Sequence, residues 1–341
     1  MDRACTDCLV LAEDQDELRA FKAEVSAGLS CSPKRLHSRF FYDKAGSDLF
    51  RSITRLPEYY LTDCELEILR KSGRKIMSLV GDGQFNLVEL GSGDGSKVIH
   101  LIDPVLAENR RLTYLPIDLS ASALEALTSF LCRHSPNLDV RCIVAEYSPG
   151  LQWIKSHLDG PTMVLFLGSN LGNFDQAAAQ AFLTEVREGL APGDLLVIGL
   201  DLRKDIDTMV RAYNDSGGVT AEFNLNLLRR INRQLGGNFD IGNFRYYSTY
   251  NPQSGGIDSF LISLRCQSVF IRELCTTFDF EPGEPIYTEH SHKYSETEIR
   301  RLASQSGFVL EASFYDSRKY FVDSIWRVPG VTDHLPPLTD R

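Results

Sequence analysis

The chain has 341 residues, of which 43% are hydrophobic and 24% are charged, a composition typical of a globular protein with one large or two modest domains. Its formal net charge of −10 argues against a nucleic-acid partner, which usually requires a basic surface. No apolar run reaches transmembrane length, and the N-terminus lacks the basic-then-apolar pattern of a signal peptide. We therefore expect a cytoplasmic, monomeric protein without a membrane partner.

The cysteines and histidines give little indication of a metal. Eight cysteines are scattered along the chain, which is typical of reduced cytosolic thiols. Cys5 and Cys8 form an isolated C-x-x-C pair with no second pair at zinc-binding spacing, so we interpret them as an incidental surface pair. His290 and His292 lack a third ligand at suitable spacing, and no metal is predicted.

The first eighty residues have the apolar spacing of helices. The pattern predicts a helix over Asp16–Leu29, a second helical stretch from Phe40 to Phe50, and a third from Asp63 to about Met77. Pro33 ends the first helix, and Pro57 forces an extended or turned approach to the third. These N-terminal helices precede the strand-rich part of the chain.

A glycine-rich turn follows the first buried strand. The apolar run Phe85–Leu90 is followed by Gly91, Gly93 and Gly95 and then by a helical segment. This order brings backbone N–H groups close to a nucleotide-like ligand. The spacing fails the G-x-G-x-x-G dinucleotide pattern, whereas the acid Glu89 before the glycines resembles motif I of class I S-adenosylmethionine (SAM) methyltransferases. An ordinary glycine turn is the alternative.

The next two strand-like runs also end in acids. Leu112–Asp118 places Asp118 where it would accept hydrogen bonds from both ribose hydroxyls, although Asp118 or Ser120 could instead cap the following helix. Val140–Ala145 leads into Glu146 and Tyr147, the usual position of an acid and an aromatic ring around adenine. A surface acid beside a core tyrosine is the alternative.

The alternation of strand and helix continues through Thr162–Leu167 and Leu195–Leu200, breaks, and resumes near residue 295. Two final strands, Phe308–Tyr315 and Tyr320–Val328, close the sheet. The pattern predicts an α/β fold: a doubly wound, Rossmann-like class I methyltransferase sheet with an inserted α+β substrate domain. We assign the SAM-binding core to 63–202 plus 295–330 and the substrate-binding domain to 10–62 plus 203–294, with ligands expected at the crevice.

Three polar stretches are candidates for holding the acceptor. Asn173 ends a loop-prone segment after the fourth strand, where turn chemistry is an equal alternative. Tyr213 begins the helical part of the insertion, and a packed tyrosine is its alternative. In the extended segment from Ile286 to Tyr294, Glu289 and Ser291 project to one face and the two histidines to the other, so an acid and a hydroxyl lie side by side. A solvated polar strand is the alternative here.

From Phe40 onwards the chain resembles the histidine-specific SAM methyltransferase family of ergothioneine biosynthesis, which is related to fungal tryptophan-derivative N-methyltransferases. The resemblance is carried by several short motifs: Phe41-Tyr-Asp-x-x-Gly-Ser47, Leu56-Pro-Glu-Tyr-Tyr60, Glu89-Leu-Gly-Ser-Gly93, Phe166-Leu-Gly-Ser169, Gly172-Asn173, Asp201-x-x-Lys204, Ala212-Tyr213, Phe223-Asn224, Ile231-Asn-Arg-x-Leu-Gly236 and Thr288-Glu-x-Ser291. It implies trimethylation of the α-amino group of L-histidine to hercynine, with S-adenosyl-L-homocysteine as the other product.

The resemblance also implies roles for individual residues. Gly91, Gly93, Lys97, Asp118, Glu146 and Tyr147 would surround SAM. Asn173 and Tyr213 would act as the catalytic residues that hold the amino-acid end of the substrate, with Tyr42 nearby. Tyr59, Glu289 and Ser291 would hold the imidazole. Ser259 departs from the family, which has methionine at this position facing the imidazole.

Two other functions remain open. One is an N-methyltransferase for tryptophan or another aromatic amino acid, which Ser259 would permit. Glu289 favours histidine because a carboxylate accepts the imidazole N–H, whereas a bulky indole gains more from an apolar neighbour. The other is a non-catalytic SAM-binding protein, which would not need the acceptor residues. No histidine or lysine is an obvious general base, so catalysis is expected to rest on positioning and desolvation.

Overall fold

The chain forms two compact units. The computed structural model describes residues 8–11 and 14–330. Residues 8–11, 63–202 and 294–330 form one unit, here called the sheet unit, and residues 14–62 and 203–293 form the other, here called the insertion unit. Val10, Leu11 and Tyr294 belong to the sheet unit, whereas the predicted boundaries put them in the substrate-binding domain.

The strands and helices of the described residues are as follows. The strands are β1 Leu9–Val10, β2 Lys34–Arg35, β3 Phe85–Leu90, β4 Leu112–Asp118, β5 Asp139–Val140, β6 Ile143–Val144, β7 Thr162–Phe166, β8 Leu195–Asp201, β9 Phe244–Asn251, β10 Gly256–Ser263, β11 Gln267–Ile271, β12 Thr276–Phe280, β13 Pro285–His292, β14 Val309–Tyr315 and β15 Phe321–Arg327. The helices are α1 Asp14–Ser30, α2 Lys44–Ile53, α3 Tyr60–Ser78, α4 Ile99–Ala107, α5 Ala121–His134, α6 Tyr147–His157, α7 Gln176–Glu188, α8 Ile206–Ala212, α9 Val219–Leu235 and α10 Glu296–Gln305.

The sheet unit is built on a mostly parallel sheet of order β1-β6-β4-β3-β7-β8-β15-β14, with β5 also paired to β4. The pairs from β6 to β8 are parallel, and β15 is antiparallel to both β8 and β14. The strand order reverses on either side of β3, which creates a switch point between β3 and β7. This is the doubly wound α/β fold that the sequence predicts, and ligands of such sheets bind outside the carboxyl ends of the strands at the switch point.

Both faces of this sheet are covered, which explains why its strands are continuously apolar. Successive residues of β3 point to opposite faces of the sheet and belong to separate cores. Leu87 packs with α3, α4 and α5, and Val88 packs with α6, α7 and α10. Each of these two side chains is 0% exposed. The helices therefore hold the glycine turn after β3 on a rigid base.

The third predicted strand is wrong as a continuous element. Val140–Ala145 is divided into β5 and β6, because β5 pairs with β4 at Thr113 and Tyr114 whereas β6 pairs with it at Ile117 and Asp118. The backbone N–H of Arg141 bridges the interval by donating to the carbonyl of Tyr114 at 2.9 Å. Two residues of pairing at each end are too few to show in a periodic pattern.

Cys8 and Cys142 form a disulfide with an S–S distance of 2.04 Å. The pairing has a simple cause: β1 runs parallel to β6 with Leu9 beside Ile143, so the residues that precede them are neighbours. The expectation that Cys8 is an incidental reduced thiol is therefore wrong. Cys5 lies outside the described residues.

The insertion unit contains the four-stranded sheet β2-β13-β10-β9 and the separate hairpin β11-β12. The N-terminal segment is tied to α9 by polar contacts: the amide of Asn226 donates to Asp43 at 2.9 Å, and the guanidinium of Arg230 donates to the carbonyl of Phe40 at 2.9 Å. Phe41 packs on Phe223 with ring centroids 4.7 Å apart. The helices predicted before residue 62 thus share a core with the insertion.

Within residues 8–11 and 14–330, no helix combines the length and apolar character that a bilayer crossing requires.

Candidate active site

The glycine turn after β3 has three residues with left-handed backbone angles. Gly91, Gly93 and Gly95 have φ values of +76°, +56° and +78°, which side-chain-bearing residues rarely adopt. A Cβ on Gly95 would lie 2.5 Å from the Leu127 side chain, so Gly95 serves close packing on α5. A Cβ on Gly93 would meet nothing within 4 Å, so the turn borders open space there. Gly93 is therefore the position suited to a close ligand.

Asp118 lies beside this turn at the end of β4. Burial raises the pKa of its carboxyl, and backbone N–H groups of Ser120, Gly93, Leu119 and Ser92 oppose that shift. Ser120, not Asp118, is the cap of α5, because its hydroxyl accepts the Ala123 N–H at 3.2 Å. The capping alternative for Asp118 is excluded, and its carboxylate is fixed against the glycine turn.

Tyr147 begins α6 and reaches the same turn. Its hydroxyl would be 2.9 Å from a Cβ on Gly91, which shows how closely the phenol approaches the glycine backbone. Its ring packs on Phe166 at a centroid distance of 5.5 Å. Burial raises the pKa of Tyr147, so the hydroxyl remains protonated. Glu146 is the exposed residue directly before α6, and its side chain makes no capping hydrogen bond to the helix. Tyr147 is thus both a core residue and a neighbour of the loop.

Lys97 belongs to a buried group of charges that we call the ion cluster: Glu65, Glu89, Lys97 and Asp323. Lys97 Nζ lies 2.5 Å from Glu65 Oε2, and Glu65 Oε1 accepts the backbone N–H of Gly168 at 2.8 Å. Burial opposes the charge of Lys97, but Glu65 outweighs it, with support from Glu89 and Asp323, and raises the pKa of the ammonium. Through Glu65 and Lys97, the ion cluster connects the end of β7 to α3 and to the glycine turn after β3.

The two other acids of the ion cluster both have raised pKa values. Burial raises the pKa of Glu89 to about 8, although Tyr114 donates a hydrogen bond to it. Burial and the neighbouring Glu65 raise the pKa of Asp323, whose two oxygens have no hydrogen-bond partner among the described residues. Sequence reasoning missed Glu65 and Asp323. A signal existed for Glu65, because it lies on the apolar face of α3 with Ile68 and Leu69.

Asn173 ends a short 3-10 helix, Asn170–Asn173, after β7. The turn itself is held by other side chains: Ser169 Oγ accepts the Asp201 N–H at 3.0 Å, and Asn170 donates to the Leu167 carbonyl at 2.9 Å. The half-buried Asn173 makes no side-chain hydrogen bond within the part of the chain that the structure describes. The side chains of Ser169 and Asn170 therefore stabilise the turn, whereas the side-chain amide of Asn173 does not take part in it.

The insertion unit brings the predicted acceptor residues together. Ser259 of β10 is directly opposite Glu289 of β13, and Ser291 follows two residues later on the same face. Ser291 Oγ lies 2.6 Å from the hydroxyl of Tyr213, and the ring of Tyr59 is 6.2 Å from that of Tyr213. We call these five residues the acceptor cluster. All five are buried.

Glu289 is the charged member of the acceptor cluster. Burial raises the pKa of its carboxyl to about 7, and the positive charge of Lys293 acts against that shift. Its neighbour Ser259 lies 3.1 Å from the hydroxyl of Tyr246, which also donates to the carbonyl of Tyr213 at 2.8 Å. The position that departs from the family is thus part of a hydrogen-bonded network rather than a void.

Tyr42 is less directly connected. Its side chain is 39% exposed, and its ring packs on Phe50 at 5.4 Å, while Phe50 in turn packs on Tyr59 at 6.4 Å. Tyr42 is therefore joined to the acceptor cluster through an intervening aromatic ring.

Alternation along β13 separates the two sets of side chains as predicted. Glu289 and Ser291 are buried, whereas His290 and His292 are partly exposed. His290 Nδ1 lies 2.7 Å from Asp258 Oδ1, which gives that ring a role in the sheet. The same alternation continues to the fully buried Lys293, a residue that sequence reasoning missed although its spacing from Ser291 could have identified it.

Comparison with known proteins decides between the families that share this fold. A family model described as "Histidine-specific methyltransferase, SAM-dependent" matches residues 21–328. The chain belongs to this family. It is 36% identical over 288 residues to the histidine N-alpha-methyltransferase of Mycolicibacterium smegmatis. The matched region covers 84% of this chain and 88% of that protein.

Two further relatives belong to the same comparison. The histidine N-alpha-methyltransferase of Mycobacterium tuberculosis is 38% identical over 284 residues, which cover 83% of this chain and 87% of that protein. Ergothioneine biosynthesis protein 1 of Neurospora crassa is 33% identical over 282 residues, which cover 81% of this chain but only 31% of the longer relative. The chain is a SAM-dependent methyltransferase of this family along most of its length.

Replacing Asp118 by Asn is expected to weaken the binding of S-adenosylhomocysteine about 10-fold, because an amide accepts hydrogen bonds less strongly than a carboxylate and turns an NH₂ group towards the surrounding backbone N–H groups. Isothermal titration measures the loss. Asp103→Asn is the matched control, since that carboxylate is exposed on α4 and contacts His134. Equal affinity of the two variants would show that Asp118 does not bind the cofactor.

Proposed function

We propose that the protein transfers three methyl groups from SAM to the α-amino group of L-histidine and so produces hercynine and S-adenosylhomocysteine, the first step of ergothioneine biosynthesis. The observation that carries the proposal is the buried Glu289, with Ser291 beside it on the same face of β13. A carboxylate accepts the ring N–H of imidazole and a hydroxyl serves the second ring nitrogen. A site of this composition suits histidine better than a purely hydrophobic side chain.

The residues at the switch point fit SAM. Gly93 leaves space for a ligand at the turn, Asp118 offers a fixed carboxylate, and Tyr147 places an aromatic ring next to Gly91. We assign Gly91, Gly93, Lys97, Asp118, Glu146 and Tyr147 to cofactor binding. When bound there, SAM supplies an electrophilic methyl group on a sulfonium. The side chains position the groups, and no covalent enzyme intermediate is needed for such an in-line displacement.

We assign the amino-acid end of histidine to Asn173 and Tyr213, with Tyr42 nearby, and the imidazole to Tyr59, Glu289 and Ser291, next to Ser259. The support for Asn173 is a side-chain amide that the turn does not use. The support for Tyr213 is a hydroxyl held 2.6 Å from Ser291, with a backbone carbonyl fixed by Tyr246. These residues hold the acceptor, which is their catalytic contribution.

The α-amine of histidine must lose a proton before each transfer, because only the neutral amine has a lone pair to attack the methyl group. We propose that the proton leaves to solvent and that the site contributes orientation and exclusion of water. The third transfer leaves a permanent cation. The faces of Tyr59 and Tyr213 stabilise such a cation without a full counter-charge.

The proposal is tested by titrating the protein with L-histidine, N,N-dimethylhistidine, L-tryptophan and L-tyrosine in the presence of S-adenosylhomocysteine, followed by mass spectrometry of turnover with SAM. We expect selective binding of the histidine compounds and a gain of three methyl masses on L-histidine. Turnover of tryptophan or tyrosine with histidine inert would contradict the proposal, and Ser259→Met would then test whether this position altered the selectivity.

We also propose that L-histidine is the small-molecule partner and that the protein acts as a monomer in the cytoplasm. Light scattering of the purified protein, and fractionation of the source cells, measure these two properties.

A further inference from the structure

Lys293 is a buried cation at the end of β13 that the proposed mechanism does not yet use. Its side chain is 0% exposed. Its ammonium donates hydrogen bonds to the hydroxyl of Tyr213 and to Ser291 Oγ, both at 2.8 Å, and lies 4.4 Å from the centre of the Tyr213 ring. Burying an ammonium is costly unless it is hydrogen-bonded and opposed by negative charge. Its contacts therefore indicate a specific role.

The ammonium limits the directions that the hydrogen bonds in this group can take. A lysine ammonium can only donate, so both hydroxyl oxygens accept from it. Tyr213 and Ser291 are also 2.6 Å apart, and only one of their two O–H groups can occupy that contact. The trio therefore keeps a single O–H that can point away from it. When Tyr213 donates to Ser291, the outward donor is the serine hydroxyl.

The same ammonium supplies the charge that opposes the burial of Glu289. Lys293 is the cation whose field favours the carboxylate form of Glu289. The carboxylate of Glu289 then offers a hydrogen-bond acceptor, and the outward hydroxyl of Ser291 offers a hydrogen-bond donor beside it. A neutral imidazole has one N–H and one ring nitrogen with a lone pair, which matches this pair, whereas an indole has only an N–H.

We propose that Lys293 is the positioning residue of the acceptor cluster: it orients the hydroxyls of Tyr213 and Ser291 and maintains the charge of Glu289, so that the cluster selects a ring with both a donor and an acceptor nitrogen. This inference rests on the proposed histidine N-methylation. It assigns Lys293 an action through its neighbours, without contact with the reacting amine.

The test compares Lys293→Met with wild type in steady-state kinetics with L-histidine. The KM for histidine is expected to rise about 10- to 30-fold, because two charged hydrogen bonds and one counter-charge are lost, while kcat changes less than KM. The affinity for S-adenosylhomocysteine is expected to stay within twofold. Lys34→Met is the matched control, since Lys34 is a largely buried cation of the neighbouring strand β2 that pairs with Glu284 instead.

The pH dependence separates positioning from a general loss of structure. Without Lys293 the pKa of Glu289 rises further, so the ratio of variant KM to wild-type KM is expected to fall as the pH increases from 7 to 9. The other titratable groups of the acceptor cluster and its surroundings are Tyr59, Tyr213 after α8, Tyr246 on β9, whose pKa burial raises, and Asp215, which acts on Tyr246. Tyr246 and the titration of histidine itself are common to the variant and to wild type, so they cancel in the ratio. Tyr213 is not part of this cancellation, because the variant loses the ammonium that donates to its hydroxyl.

Two further variants keep the proposal testable if Lys293→Met folds poorly. Lys293→Arg retains the charge, so its KM ratio is expected to be independent of pH. Ser291→Ala removes the outward donor but leaves the positive charge of Lys293 acting on Glu289, so it is expected to raise KM without the pH-dependent recovery. A KM ratio for Lys293→Met that stays near one, or that does not change with pH, would overturn the positioning role. If the wild-type protein neither binds nor methylates L-histidine, the proposed function itself would be overturned.

Discussion

Replacing Glu289 by Gln is expected to lower kcat/KM for L-histidine about 100-fold. Glu289 is the buried carboxylate of the acceptor cluster, and a hydrogen bond to a buried charge lies at the upper end of the usual range, close to 3 kcal/mol. Gln keeps the shape of the side chain, so the loss measures the charge rather than a cavity. Initial rates with SAM at pH 8 provide the measurement.

The effect of Glu289→Gln on kcat/KM is expected to depend on pH. Because burial raises the pKa of Glu289 to about 7, the carboxyl is about half ionised near pH 7, mostly ionised at pH 8 and mostly protonated at pH 6 and below. The ratio of wild-type to Glu289→Gln kcat/KM is therefore expected to fall towards one as the pH decreases from 8 to 5. The titration of histidine affects both proteins and cancels in the ratio. Glu281→Gln, at an exposed position before β13, is the control that should match wild type.

The same shift links Glu289 to stability. Its pKa is raised from 4.5 to about 7 on folding, so the folded state binds the proton more tightly and the burial penalty grows as the pH rises between these values. The penalty reaches about 3 kcal/mol above pH 7 and is absent below pH 4.5. In the absence of ligands, the Glu289→Gln variant is therefore expected to have a higher midpoint urea concentration of unfolding than wild type at pH 8. At pH 4 the two midpoints are expected to be equal. A less stable variant at pH 8 would contradict this account of the buried charge.

The sequence predicts the sheet unit well because its signals are local. The run Phe85–Leu90 is the strand β3 residue for residue, and the run Leu112–Asp118 is the strand β4 with the same bounds. Both are mostly buried apolar segments, and their pattern is visible within six or seven residues. By contrast, β5 and β6 are only two residues each, and the pairing of β1 that brings Cys8 to Cys142 depends on residues 134 positions apart. No local pattern encodes such contacts.

The site shows the same division. Glu289 and Ser291 were identified because alternation along one strand places them on one face. Lys293 continues that alternation, but a lysine next to two histidines is ordinarily read as part of a solvated surface, and only its burial reveals the role. Asp323 has no sequence signal at all, because its neighbours Glu65 and Lys97 come from distant elements of the sheet unit.

Replacing Lys97 by Met is expected to destabilise the protein by about 3–5 kcal/mol. Glu65, which is 0% exposed, would lose the ammonium 2.5 Å away and remain among Glu89 and Asp323, which are also acids. Breaking a buried ion pair from one side leaves an uncompensated charge, and this costs more than the pair itself contributes. Urea unfolding at pH 8 measures the loss.

The double variant Glu65→Gln/Lys97→Met distinguishes this explanation from simple loss of packing. Removing both charges is expected to recover most of the stability, because no unpaired charge remains. Asp323→Asn is the matched single change: burial and Glu65 already raise the pKa of Asp323, and its oxygens lack partners among the described residues, so its removal should cost little or add stability. A double variant as unstable as Lys97→Met would show that the ion pair is not the cause.

The double variant also separates the two roles assigned to Lys97. If Lys97 only neutralises Glu65, the recovered protein should bind S-adenosylhomocysteine as tightly as wild type. If its ammonium also binds the cofactor, as the family resemblance implies, stability will return while affinity remains reduced, since Met cannot pair with an anionic group. We expect the second result, because Lys97 Nζ would lie 3.2 Å from a Cβ on Gly168, at the carboxyl end of β7 where ligands of such sheets bind.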